Sequence, residues 1–373
     1  MKKKLLALVL AVAVAAAMVL TACGGGSNGG DTPAPAGSGS AAVVPDAGNS
    51  NAELTFKLVT TLSKQEFGGQ MVEYLKAKVE ELSDGKMSIN PSYGGTEVGF
   101  GEELSFVGTT GAGYDMTLIG QAMYFNVLPL LNFPSQSLKG YEDAVNLMDT
   151  IAFKNEKTAP LVQADIEKNN VHMIGSLPGG SNAFITKTKY TSLDEMKGMK
   201  LGIGMNQTAM EKLGFNVVTV YPNEYYDKLS RGVADCGYMS ATALVSMKLQ
   251  EVTPYFLTDG TYTAGNFITI NLDLWNSLTP EQQKILEDAV AATQEYSYQL
   301  AYDADDAIGG EIEAAGGELN KLSEEDAKTV QAVFFETGVA DARGYAEGAG
   351  CVDEMEVVLQ EVANYVGLEL PAK

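Results

Sequence analysis

The side chains that most often do chemistry are scarce in this sequence. Its single histidine, His172, lies in the apolar run Val171-His-Met-Ile174, where an imidazole is ordinarily a buried, satisfied side chain rather than the base of a triad. Cys23, Cys236 and Cys351 include no pair with zinc-ligand spacing. Asp303, Asp305 and Asp306 read as a solvated helix face. Gly94-Gly95, Gly179-Gly180 and Gly202-Ile-Gly204 do not form a phosphate-cradling loop. An exported enzyme is therefore the weaker reading. What remains is recognition by hydroxyls, amides and phenols, which orient a ligand without a formal charge.

The ends of the chain say where such recognition takes place. Lys2, Lys3 and Lys4 precede an apolar run from Leu5 to Leu20, followed by Leu20-Thr-Ala-Cys23. That is a secretory signal over 1–22, its apolar run of 16 residues short of the roughly 20 of a spanning helix, and Cys23 stands where a bacterial lipobox is acylated. Residues 23–52 are Gly, Ser, Ala, Pro, Asn and Asp almost throughout, a flexible tether. The net charge of -23 becomes -26 once the three lysines are removed with the signal. Nucleic acid is excluded as a partner, and an anionic ligand would need a local positive site. Cys236 and Cys351 could pair in an oxidising compartment, but two cysteines are no disulfide framework.

The body from residue 53 onward alternates strands and helices, which implies parallel sheets with helical faces. Strands are predicted near 54–60, 87–93, 114–119, 171–175, 182–186, 200–204, 217–220 and 267–272. Helices are predicted over 70–82, 102–107, 274–278 and, longest, from Pro280 to about Glu313; Asn223 is expected to cap one over 224–231. A strand and a long helix following a complete second lobe imply that the lobes exchange segments, and multiple crossovers of that kind make a hinge.

Four stretches give the chain a family resemblance. Ser192-Leu-Asp-Glu-Met-Lys-Gly-Met-Lys-Leu201, Tyr221-Pro-Asn-Glu-Tyr-Tyr-Asp-Lys-Leu-Ser-Arg-Gly-Val-Ala-Asp235, Leu249-Gln-Glu-Val-Thr-Pro-Tyr255 and Ile268–Leu278 with Trp275 resemble, in this order and spacing, the DctP-type solute-binding proteins of TRAP transporters. The resemblance implies an α/β, two-lobed, periplasmic-binding-protein-like clamshell with segment exchange between lobes and a long helix in the C-terminal half. It divides the body into 53–178 with 264–305 (lobe I) and 179–263 with 306–373 (lobe II). It also implies a small-molecule solute enclosed between the lobes, TRAP membrane subunits as partners and no cofactor. With the lipobox, the place is outside the cell membrane, held by lipid. A sensor system or an ATP-driven importer would preserve the capture and change only the partner.

The same resemblance selects site candidates. Asn182 and Gly202 stand where the family usually has two arginines that fork onto a substrate carboxylate. Asn206 follows a strand and could meet ligand or cap a helix. Tyr124, Tyr221 and Tyr238 fall in segments that match cleft walls, while Gln121 and Thr60 follow lobe I strands, where ligands bind in open α/β sheets. Gly202 has the alternative of permitting close strand packing. Glu224, Asp235 and Trp275 match well but are expected to be structural.

Overall fold

The computed structural model describes residues 52–373 except 96, 100, 122 and 123. The signal, the tether and Cys23 lie outside the described residues, and among the described residues no helix is long and apolar enough to cross a membrane.

The first lobe begins with β1 (Leu54–Val59), whose Phe56 and Leu58 are fully buried between exposed Thr55 and Lys57, the period-2 pattern of a half-covered strand. It continues through α1 (Phe67–Leu82), β2 (Met87–Ser92), α2 (Glu103–Gly108) and β3 (Met116–Gly120). β1 lies between β2 and β3, parallel to both. After the short β4 (Gln136–Ser137), α3 (Tyr141–Asp149) and α4 (Ala159–Glu167) close the lobe.

β5 (Val171–Thr186) then leaves the first lobe and enters the second. There follow α5 (Leu193–Met196), β6 (Lys200–Ile203), α6 (Gln207–Lys212), β7 (Asn216–Thr219), α7 (Tyr225–Ser230), β8 (Cys236–Ser240) and α8 (Ala241–Ser246). β9 (Tyr255–Asn271) runs back, antiparallel to β5 along nearly all its length. The chain ends with α9 (Leu272–Ser277), α10 (Pro280–Ala314), β10 (Glu318–Lys321), α11 (Glu324–Ala349) and α12 (Val352–Val366). One sheet results, in the order β2-β1-β3-β9-β5-β8-β6-β7, with β4 and β10 each paired to β9.

Two features of this order differ from the strand pattern expected from sequence. The runs at 171–175 and 182–186 are two ends of one 16-residue strand, and 267–272 is the end of a 17-residue one. Pro178, Gly179 and Gly180 break the apolar periodicity between them without ending the ladder; the register slips there instead. Asn223 does not cap α7: Pro222–Glu224 forms a 3-10 turn, and Glu224 is the residue before the helix.

Two long helices tie the lobes together. α10 starts with a capping box, the Thr279 hydroxyl accepting from the Gln282 amide and the Gln282 side chain accepting from Thr279, with Pro280 in the first turn. At 1.5 Å per residue its 35 residues span roughly 52 Å. Its Leu286, Ala289 and Val290 join the first-lobe core of Phe56, Leu58, Met71 and Leu75, and its Ile308 and Ile312 join the second-lobe core of Ala183, Ile185 and Tyr225. α11 repeats the pattern, with Val330 and Phe334 against Phe184 and Leu201, and Val339 and Ala342 against Tyr141 and Phe267. α12 then packs Met355, Val358 and Val362 into the first-lobe core that holds Val59 and Ile119. The segment 306–373, assigned from sequence to the second lobe, thus returns to the first partway along α11.

Candidate functional site

The strands of both lobes point their C-terminal ends at the same short stretch of β5. Gly120, the last residue of β3, faces Asn266 on β9, which faces Leu177 on β5. Ser240, the last residue of β8, faces Asn182. Leu177 and Asn182 are five positions apart, roughly 16 Å of strand at about 3.3 Å each. Carboxyl strand ends are where open α/β sheets bind ligands.

The first-lobe wall is tied up in hydrogen bonds. Thr60 is 2% exposed, and its hydroxyl accepts from the Leu62 amide at 3.2 Å. Gln121 donates to the carbonyls of Leu131 (2.6 Å) and Phe133 (2.8 Å) and accepts from the Ser135 hydroxyl (2.7 Å), so its amide fixes the loop after β3. Tyr124 is buried and donates to the Glu103 carboxylate at 2.7 Å. Glu103 is 2% exposed and also accepts from the Thr61 hydroxyl (3.1 Å) and the Gly101 amide (2.8 Å), the partners that a buried carboxylate requires. Sequence reasoning missed Glu103. Beside Glu102, at the head of a helix, it reads as an ordinary first-turn carboxylate.

The second-lobe wall is built differently. Met205 and Tyr221 are 56% and 58% exposed, and Asn206, also exposed, holds a left-handed backbone (φ 55°) with no side-chain cap on α6. The Tyr221 ring lies against Gly204, where a Cβ would be 3.6 Å from it. Asn182 is half-buried and lies beside Tyr238. Tyr238 is itself buried and donates through a short hydrogen bond to Asp259. Asp259 also accepts from the amide and hydroxyl of Thr261, both at 2.8 Å. Burial pushes its carboxyl up to about 6 despite these donors.

Gly202 serves packing. A Cβ there would stand 2.9 Å from Val220 and 3.2 Å from Ala234, and its carbonyl accepts the Tyr225 hydroxyl at 2.9 Å. The paired Gly237 leaves room for the Tyr225 ring, 2.7 Å from where its own Cβ would be. Asn182 thus faces the end of β8, and Asn206 and Tyr221 follow β6 and β7, whereas Gly202 and Tyr238 lie within β6 and β8.

Neither arginine stands at these strand ends. The sequence holds two arginines. Arg231 pairs with Asp227 at 2.7 Å on the outer end of α7, and Arg343 forks onto Glu356 at 2.7 and 3.1 Å where α11 meets α12.

The remaining conspicuous residues are structural. His172 stacks on Trp275 with ring centroids 4.5 Å apart, and burial lowers its pKa. Asp235 accepts from the Lys200 amide at 3.0 Å and Glu224 from the Tyr221 amide at 3.1 Å. Cys236 and Cys351 are both free and buried, in separate cores. Asp305 departs from the solvated helix face expected of it: it is half-buried and accepts from Ser181 (2.7 Å) and Tyr141 (2.8 Å).

Two lobes joined by crossing strands define a bivalve fold. Residues 58–337 match the family described as bacterial extracellular solute-binding protein, family 7, and the chain belongs to that family. It is 24% identical over 344 residues to the ectoine/5-hydroxyectoine-binding periplasmic protein UehA of Ruegeria pomeroyi, covering 87% of this chain and 96% of that one. The match to the uncharacterized protein YiiZ of Salmonella typhimurium, 26% identical over 121 residues, spans 32% of this chain and 37% of that protein. Among solved structures, a TRAP periplasmic solute-binding protein from Ochrobactrum anthropi has the same fold, with a TM-score of 0.70 at 19% identity over 84% of this chain and 97% of its own.

Proposed function

We propose that this protein captures a small solute outside the cell and passes it to the membrane subunits of a TRAP-type transporter, held at the membrane through an acylated Cys23. The solute is neutral, zwitterionic or cationic, or is an acid held by backbone amides and hydroxyls. Asn182, Asn206 and Tyr221 contact it, while Thr60, Gln121 and Tyr124 act by holding the first-lobe loops in place. Contacts from both walls favour the closed arrangement, and that differential affinity is what drives closure.

The observation that carries the choice of solute is the placement of the two arginines. Both are spent on carboxylates away from the strand ends, and a chain of net charge -23 does not attract anions at long range. A thermal-shift panel tests this, because ligands that bind only the folded state raise the midpoint. Polyols, amino acids, quaternary amines and ectoine should give the largest shifts. If succinate, malate or fumarate led the ranking instead, the neutral, zwitterionic or cationic reading would fail. Replacing Cys23 by serine should move the protein from the membrane fraction to the soluble one; unchanged partition would rule out the anchor.

A further inference from the structure

A cavity of about 300 Å³ lies on the α10 side of the crossing strands. Its volume is at the small end of small-molecule sites, which run from about 300 to 1,000 Å³. Ser181 of β5, Thr258 and Tyr262 of β9, Asp305 and Asp306 of α10 and Lys321 at the end of β10 line it.

The opposite charges in this cavity do not close into an ion pair among the described residues, although the Lys321 ammonium favours the ionised form of Asp305 and of nearby Asp259. Lys321 forms no ion pair among the described residues, and its ammonium lies 5.5 Å from the centroid of the Tyr262 ring. Asp306 is exposed and likewise has no ion pair among them. Asp305 is held in place by Ser181 and Tyr141. An ammonium on a flexible four-carbon stem would be expected to close on a carboxylate within reach. Here both signs face one cavity and remain apart, with hydroxyls of Ser181 and Thr258 on the same wall. A molecule bearing both charges can meet both at once, and one bearing a single charge cannot.

We propose that this hinge cavity is a second binding site, for a small ω-amino acid whose ammonium meets Asp305 and Asp306 and whose carboxylate meets Lys321. Ser181 and Tyr262 belong to the strands that cross between the lobes and Asp305 to the helix that spans them, so the bound molecule touches three of the segments that closure must bend.

Titration calorimetry on the full-length protein tests the site with glycine, β-alanine and γ-aminobutyrate, beside ethylamine and propionate as the single-charge halves of β-alanine. At least one zwitterion should bind tenfold or more tightly than either half. Lys321→Ala and Asp306→Asn should each weaken it by tenfold or more, and Lys321→Arg should restore most of the loss. Both positions are exposed, and an unchanged circular dichroism melt will show that the variants fold. The proposal is overturned if none of the three zwitterions binds, if the halves bind as well as the whole, or if the Lys321 and Asp306 variants bind normally.

Discussion

The strand-end residues of the two lobes occupy equivalent places, at the carboxyl ends of parallel strands, yet they are held in opposite ways. On the first-lobe side Thr60, Gln121 and Tyr124 have their polar atoms committed, Tyr124 to the buried Glu103. On the second-lobe side Met205, Asn206 and Tyr221 stand in solvent. A wall whose groups are all paired is rigid, and changing it costs stability. A wall with free groups contributes little to folding and keeps its contacts for the ligand. The difference teaches that residues at topologically matching strand ends need not share a role.

Substitutions can break or sharpen that contrast. The largest effect is expected where the second lobe is packed rather than open. Gly202→Arg, which would recreate the family's clamp, must displace Val220 and Ala234 and should cost about 3 kcal/mol or more in denaturant unfolding. It should also yield no tighter binding of dicarboxylates; a stable variant that gained such binding would put Gly202 against the solute after all. Next comes Glu103→Ala, which leaves the Tyr124 hydroxyl and the Gly101 amide without their acceptor. A loss of about 2 to 3 kcal/mol is expected, and an unchanged midpoint would mean that the first-lobe network is dispensable.

Asp259 supplies a pH test. Its folded pKa, about 6, lies above the roughly 3.9 of an unfolded aspartate. The folded state therefore favours the protonated carboxyl, and this contribution to stability is fully present below about pH 4 and is lost as the pH rises through 6. Asp259→Asn removes the titration. Relative to wild type, the variant should gain about 2 kcal/mol between pH 4 and pH 8; a constant difference across that range would contradict the raised pKa. The smallest effect on folding belongs to Tyr221→Ala, within about 0.5 kcal/mol as for other exposed sites. Its signature is instead weaker solute binding in calorimetry, and loss of stability without loss of binding would reverse the contrast between the walls.

Much of this architecture was legible in the sequence. Strand and helix periodicities located β1, α1, β2 and β6 to within a few residues, and Pro280 marked the start of α10. The crossing strands were not legible as single elements, because Pro178-Gly179-Gly180 looks like a loop to any periodicity argument, and only pairing with β9 holds it extended. Return of the chain to the first lobe along α11 was equally hidden, since an amphipathic helix does not say which lobe its apolar face covers. At the site, the absence of a carboxylate clamp could be read directly from Asn182 and Gly202. The division of labour between Tyr124, Gln121 and Tyr221 could not. All three are amphipathic residues near strand ends, and only their hydrogen-bond partners separate a loop brace from a free contact.

The measurement that tests the account most directly is a structure of the complex with the solute that leads the thermal-shift ranking. The account predicts density between the strand ends, touching Tyr221 or Asn206 on one side and the first-lobe loops on the other, with neither Arg231 nor Arg343 in contact. A solute bound elsewhere on the body, or one gripped by either arginine, would contradict it.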